Sequence, residues 1–209
     1  MHTHTSETQA TVTPKRAQEF LAEGNRRFLE NLRTNRDLQR QVLETRQGQW
    51  PFAVVLGCID SRVPAELVFD QGIGDIFSVR IAGNCVTEEI LGSLEFSCKV
   101  AGSKLIVVLG HSHCGAVKGA CDHVELGNLT KLLSHIQPAV EAVDAPTDKA
   151  QRTSGNASFV QAVAEKNVRM VVERMTEQSD VLREMCEAGE IAIVGAMYDI
   201  ETGTVTFYE

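Results

Sequence analysis

The runs FAVVL (Phe52–Leu56) and KLIVVL (Lys104–Leu109) are apolar almost without alternation, and no other feature constrains the fold of this 209-residue chain as much. A strand with one face in water alternates polar with apolar side chains, so a strand that does not alternate is covered on both faces. IFSVR (Ile76–Arg80) is a further short apolar run, and Lys104–Leu109, rich in β-branched residues, is the clearest strand signal. Between these two, Glu88–Val100 sets Leu91, Leu94 and Cys98 on one helical face. Strand and helix signals thus alternate, which predicts an α/β fold: a central, mostly parallel β-sheet flanked by helices.

The flanks extend this reading. Residues 1–13 are polar, Thr-rich and aperiodic and are expected to form a flexible tail, in which the His2-x-His4 pair reads as inert. Residues 14–209 form a single domain, as the length suggests. From Pro14 to about Leu32 the residues Ala17, Phe20, Leu21, Phe28 and Leu32 recur at helical spacing, with Pro14 suited to a helix start. Segment 14–46 carries eight Lys or Arg and five acids, a net +3 in a chain of net charge −8. Such a basic arm suits either a partner subunit or a solvated helix face. Beyond the third strand, 114–126 and 129–143 read as helical and 144–158 as a polar loop. Helical spacing returns at Val160, Val163, Ala164, Asn167, Val168, Val171 and Met175, then over Val181–Ala188. Strands at Ile191–Ala196 and Thr204–Tyr208, around Glu201-Thr202-Gly203, close the chain as a hairpin.

Composition excludes several classes. No apolar run approaches the roughly 18 residues of a membrane span, and the first twenty residues lack the apolar stretch of a signal peptide, so a soluble, cytoplasmic protein without a membrane role is expected. The net charge of −8 argues against a nucleic-acid partner. Six cysteines without a C-x-x-C, in a chain long enough to build its own core, read as reduced thiols, some of them metal ligands, rather than disulfide staples.

Two loops carry the chemistry, each directly after a strand, where open parallel sheets place functional groups. Gly57-Cys58-Ile59-Asp60-Ser61-Arg62-Val63-Pro64 follows FAVVL, and Gly110-His111-Ser112-His113-Cys114-Gly115 follows KLIVVL. Zinc accepts Cys sulfur and His nitrogen, and catalytic sites pair three protein ligands with an open fourth position; Cys58, His111 and Cys114 supply such a set. His113 competes with His111 for the role. Asp60 and Arg62, two residues apart, can form an ion pair beside the metal. Other readings stay open here: an ordinary loop salt bridge, a structural zinc closed by His113 or Cys121, or a Cys–His nucleophile pair. Cys85, Cys98, Cys121 and Cys186 read as core residues.

C-x-D-S-R-V-P at 58–64 followed by G-H-x-x-C-G at 110–115, with Arg80-Ile81-Ala82-Gly83-Asn84 between them, resembles the β-class carbonic anhydrases, from about residue 15 to the C-terminus. The resemblance implies one zinc per subunit held by Cys58, His111 and Cys114, an Asp60–Arg62 catalytic dyad, and reversible conversion of carbon dioxide and water to bicarbonate and a proton, with hydroxide on zinc as the nucleophile. It implies an apolar substrate pocket at Phe77, Ala82 and Phe96, with Gln49 and the Gly115 amide bonding substrate oxygens. A homo-oligomer, dimer or tetramer, follows from the same likeness, as does an alternative activity on carbonyl sulfide or carbon disulfide. The chain departs from plant-type members in having Phe96 where Tyr is common, so that hydroxyl is absent; His113 is then a candidate for proton export, or else an inert exposed imidazole. It also has Val55 where a bicarbonate-inhibited subgroup has Trp, so an open site without that switch is expected.

Overall fold

The computed structural model describes residues 3–208; His2 lies outside them. Among the described residues five strands, β1 (Ala53–Gly57), β2 (Ile76–Arg80), β3 (Leu105–His111), β4 (Ala192–Tyr198) and β5 (Val205–Phe207), form one sheet in the order β2-β1-β3-β4-β5. All pairings are parallel except the antiparallel β4–β5 hairpin at the end. The helices are α1 (Ser6–Ala10), α2 (Pro14–Leu29), α3 (Leu38–Thr45), α4 (Ala65–Val68), α5 (Glu88–Glu95), α6 (Gly115–Cys121), α7 (Gly127–Ser134), α8 (Gln137–Glu141), α9 (Ala157–Gln178) and α10 (Asp180–Glu187).

The unalternating strands are apolar because two cores share them. Val54, Leu56, Ile106 and Val108 face a core built with α5 to α10, whereas Ala53, Val55, Leu105, Val107 and Leu109 face a second core containing Ala17 and Leu21 of α2 and Ala65 and Val68 of α4. Every residue of β1 and β3 is buried, and each large aliphatic side chain so buried contributes about 1.5–3 kcal/mol. The chain leaves β1 first toward β2 on one side and later returns to β3 on the other. The carboxyl ends of β1 and β3 therefore flank a topological switch point, the place where open α/β sheets put their sites.

One expectation needs correction. Residues 3–13 are not a free tail: Thr5 caps α1, Gln9 is buried with its amide donating to the carbonyls of Pro51 (2.7 Å) and Ala101 (2.8 Å), and the His4 ring packs on Phe20 and Phe52. The polar composition hid a segment held by hydrogen bonds rather than by apolar periodicity. The helix expected from Pro14 to about Leu32 is present as α2, ending at Leu29, and the arm continues in a second helix, α3, that starts at the Asp37 cap. The turn between them is fixed by buried Asp70, which accepts from Arg27, Arg36 and the Thr34 amide and hydroxyl. Among the described residues no helix is long and apolar enough to cross a membrane.

Candidate metal centre

Cys58 is the first residue past β1, His111 the last residue of β3, and Cys114 the cap before α6. Parallel pairing sets Gly57 level with Leu109, so the two ends advance together and deliver both loops to one point. The ligand atoms of Cys58, His111 and Cys114 all lie within 4.8 Å of one another, the two sulfurs 3.9 Å apart, and all three side chains are buried.

These donors fit a thiophilic dication. His111 Nδ1 lies 2.9 Å from the Ser112 carbonyl oxygen, to which it donates, and this leaves Nε2 as the lone-pair nitrogen. That Nε2 is buried without a hydrogen-bond partner, an arrangement costly unless something else accepts the lone pair. The two sulfurs are close enough to hydrogen-bond, which drives their acidities apart. The Cys114 S–H, then the Gly83 amide, pull Cys58 well below the ordinary thiol range against the cost of burial. The bond to Cys58, burial and the Cys58 charge push Cys114 far above it, against the amides of Val117 and Ala116. A dication between the sulfurs removes the repulsion that holds the second proton on.

Asp60 lies beside the cluster, its Oδ2 3.9 Å from His111 Nε2. Arg62 holds it in a fork: Nε donates to Oδ1 at 2.9 Å, Nη2 to Oδ2 at 2.7 Å, and the Arg62 backbone amide also to Oδ1 at 3.0 Å. The Arg62 guanidinium, acting against partial burial, keeps the Asp60 carboxyl well below the usual carboxylate range. Sequence reasoning gave no role to Arg80, yet its Nε donates to the Cys58 carbonyl (2.9 Å) and its Nη2 to the Asp60 carbonyl (2.6 Å), bracing the first loop from the neighbouring strand. An Arg at the end of a strand level with Gly57 was the available signal, but only the register reveals its target.

The remaining candidates separate. The Gly115 amide opens α6 beside Cys114, with open space where a Cβ would stand. Ala82 is half-buried in the turn after β2, next to Gly83. Phe77 and Phe96 meet edge to face at 6.4 Å and line an open cleft of about 370 Å³ between β2 and α5, with Ser78, Val79, Glu89 and Ser93. None of the metal donors lines that cleft, and Phe77 is level with Val54, three rungs or roughly 10 Å from the ligand end of β1. Gln49 is exposed in the connection entering the opposite end of β1. His113 points its Nε2 at Glu201 Oε1 (3.3 Å), and Cys121 sits at the far end of α6, so neither joins the three-donor cluster.

Comparison with known proteins gives concordant results. A family model described as carbonic anhydrase matches residues 53–205. Carbonic anhydrase 2 of Mycobacterium tuberculosis is 38% identical over 196 residues, covering 92% of this chain and 91% of that protein. The crystal structure of the β-carbonic anhydrase CafA of Aspergillus fumigatus superposes with a TM-score of 0.71 at 28% identity, covering 82% of this chain and 81% of that one. A structure from Sordaria macrospora, described as a tetrameric β-carbonic anhydrase, shares the fold with a TM-score of 0.66 at 22% identity, covering 91% and 90%.

Proposed function

The chain belongs to the β-class carbonic anhydrases, zinc-dependent enzymes of carbon dioxide hydration, and we propose that Cys58, His111 and Cys114 hold its zinc while Asp60, clamped by Arg62, orients the nucleophile. The observation that carries this assignment is the three-donor cluster with its orphaned His111 Nε2. When bound, zinc supplies a Lewis acid that lowers the pKa of water to roughly 7, so that a nucleophile exists near neutrality. Asp60, ionised throughout that range, only accepts hydrogen bonds. Its Oδ2 has a lone pair left beyond Arg62 and lies on the cluster's side, suited to take the hydrogen of the attacking oxygen and turn that oxygen's lone pair toward the substrate carbon. The fork from Arg62 also keeps Asp60 from swinging onto the metal, which supports a three-ligand site with one position open. The Gly115 amide suits a developing bicarbonate oxygen. X-ray absorption at the zinc edge tests the ligand set: two sulfurs near 2.3 Å and one protein nitrogen near 2.0 Å are expected. Three or more sulfurs would overturn it.

The proposal includes a homo-oligomer, in which a second copy completes the site. β2 is an open edge of the sheet, and beside it Phe96 and Val100 are 51% and 71% exposed. An unpaired edge next to apolar surface favours pairing with another chain. Gln49 and the Phe77–Phe96 cleft, remote from this chain's own donors, then face those of the partner. Sedimentation at micromolar concentration tests this: a dimer or tetramer is expected, dissociating with loss of activity in Val100→Asp, and a monomer with full activity would overturn it.

A further inference from the structure

Asn167 is the polar member of the otherwise apolar stripe of α9, and it is 2% exposed, surrounded by Val163, Ala164, Val168 and Val171. A buried amide in such a stripe is unfavourable unless its hydrogen bonds are made. Its Nδ2 donates to the Gly83 carbonyl at 2.9 Å. Gly83 sits in the turn after β2 at φ +72°, and its own amide donates to the Cys58 sulfur at 3.3 Å. Both backbone polar groups of one residue are thus committed, one to a zinc-ligand sulfur and the other to Asn167. The turn is wedged as well: a Cβ on Gly83 would stand 2.5 Å from Ile136 Cδ1 and 3.3 Å from the Ala116 Cβ.

We propose that Asn167 is a positioning residue for the metal centre, fixing through the Gly83 carbonyl the peptide whose amide hydrogen-bonds the Cys58 sulfur. The proposal rests on Cys58 being a zinc ligand. A hydrogen bond to a thiolate stabilises its lone pairs and makes it a weaker donor, so this amide adjusts how strongly the sulfur donates to the metal. Without Asn167 the Gly83 turn loses its anchor on α9, and the amide drifts from the sulfur. Partners at this remove from a metal typically change its affinity by 10- to 100-fold, and a residue acting through one peptide belongs near the lower figure.

The test uses the full chain loaded with cobalt(II) in place of zinc, read by the near-ultraviolet thiolate-to-metal charge-transfer band, together with zinc affinity by chelator competition. Asn167→Leu and Asn167→Ala remove the donor with different volumes. Asn25→Ala, which removes a buried amide bonded to the Val68 and Gly203 carbonyls, serves as the control for lost stability alone. Expected are a band shifted to longer wavelength in both Asn167 variants, as the sulfur loses the amide's hydrogen bond, and zinc affinity about tenfold weaker, as the turn that positions Cys58 loses its anchor, with neither changed in Asn25→Ala. An unshifted band in whichever Asn167 variant folds would reduce Asn167 to a packing residue and overturn the proposal. A wild-type protein with no thiolate band would overturn the ligand assignment itself.

Discussion

The Nδ1 atom of His111 donates to the Ser112 carbonyl oxygen at 2.9 Å, and this contact between sequence neighbours fixes which ring nitrogen can bind a metal. His113, two residues on, sits at φ +56° with its ring turned to Glu201. His111→Ala is therefore expected to lose stoichiometric zinc, whereas His113→Ala retains about one ion per chain. Elemental analysis of the purified variants checks both, and zinc lost from His113→Ala would reverse the assignment.

Asp60→Asn should lower kcat by about 100-fold with zinc retained, because the amide keeps the shape but puts an NH2 donor in place of one of the two acceptor oxygens, and with Arg62 holding the other no acceptor is left to aim the nucleophile. The sign of the pH effect follows from the depressed folded-state pKa of Asp60. The carboxylate and its pair with Arg62 persist at every pH above the carboxylate range and dissolve only as pH falls below it. Asp60 then contributes no midpoint between pH 6 and 9. The wild-type stopped-flow profile should then show no inflection from Asp60 in that range, and a second inflection between pH 6 and 9 that vanishes in Asp60→Asn would show Asp60 titrating there.

Much of this is legible in the amino-acid sequence. FAVVL and KLIVVL announced strands buried on both faces because β1 and β3 divide two cores, and ligand-type residues directly after them stand at the switch point for the same reason. The Asp60–Arg62 fork is local in sequence and was readable as such. What resisted was long-range: Arg80 braces a loop 20 residues away, Asn167 reaches Gly83 across 84 positions, and Gln9 serves Pro51 and Ala101. Single polar side chains bonding distant backbone carry no periodicity, and only the folded register supplies their partners.

Gln9→Ala should lower stability by about 1–3 kcal/mol, since it leaves the Ala101 carbonyl without the donor it has here. Denaturant unfolding monitored by circular dichroism checks this. An unchanged midpoint would restore residues 3–13 to the status of a tail.

Asp70 is the buried counterpart. Burial raises its carboxyl pKa, but Arg27 and Arg36, with the Thr34 amide and hydroxyl, outweigh that and bring it to about 2. Because this lies below the unfolded value, the stability it contributes is complete above roughly pH 4 and is lost as pH falls toward 2. Asp70→Asn should destabilise at pH 7 by about 3 kcal/mol and flatten that acid dependence, as measured by thermal unfolding across pH. Equal acid sensitivity in the variant would place the titrating group elsewhere.

The central claim is that Cys58, His111 and Cys114 hold a zinc ion that hydrates carbon dioxide. Stopped-flow carbon dioxide hydration with a pH indicator, run near pH 8 on zinc-replete wild type and Cys58→Ser, tests it most directly. Rapid, zinc-dependent hydration is predicted for wild type, with both activity and stoichiometric zinc lost in Cys58→Ser. Zinc-replete wild type with no hydration above the buffer rate, or a Cys58→Ser protein that keeps its metal and turns over normally, would contradict it.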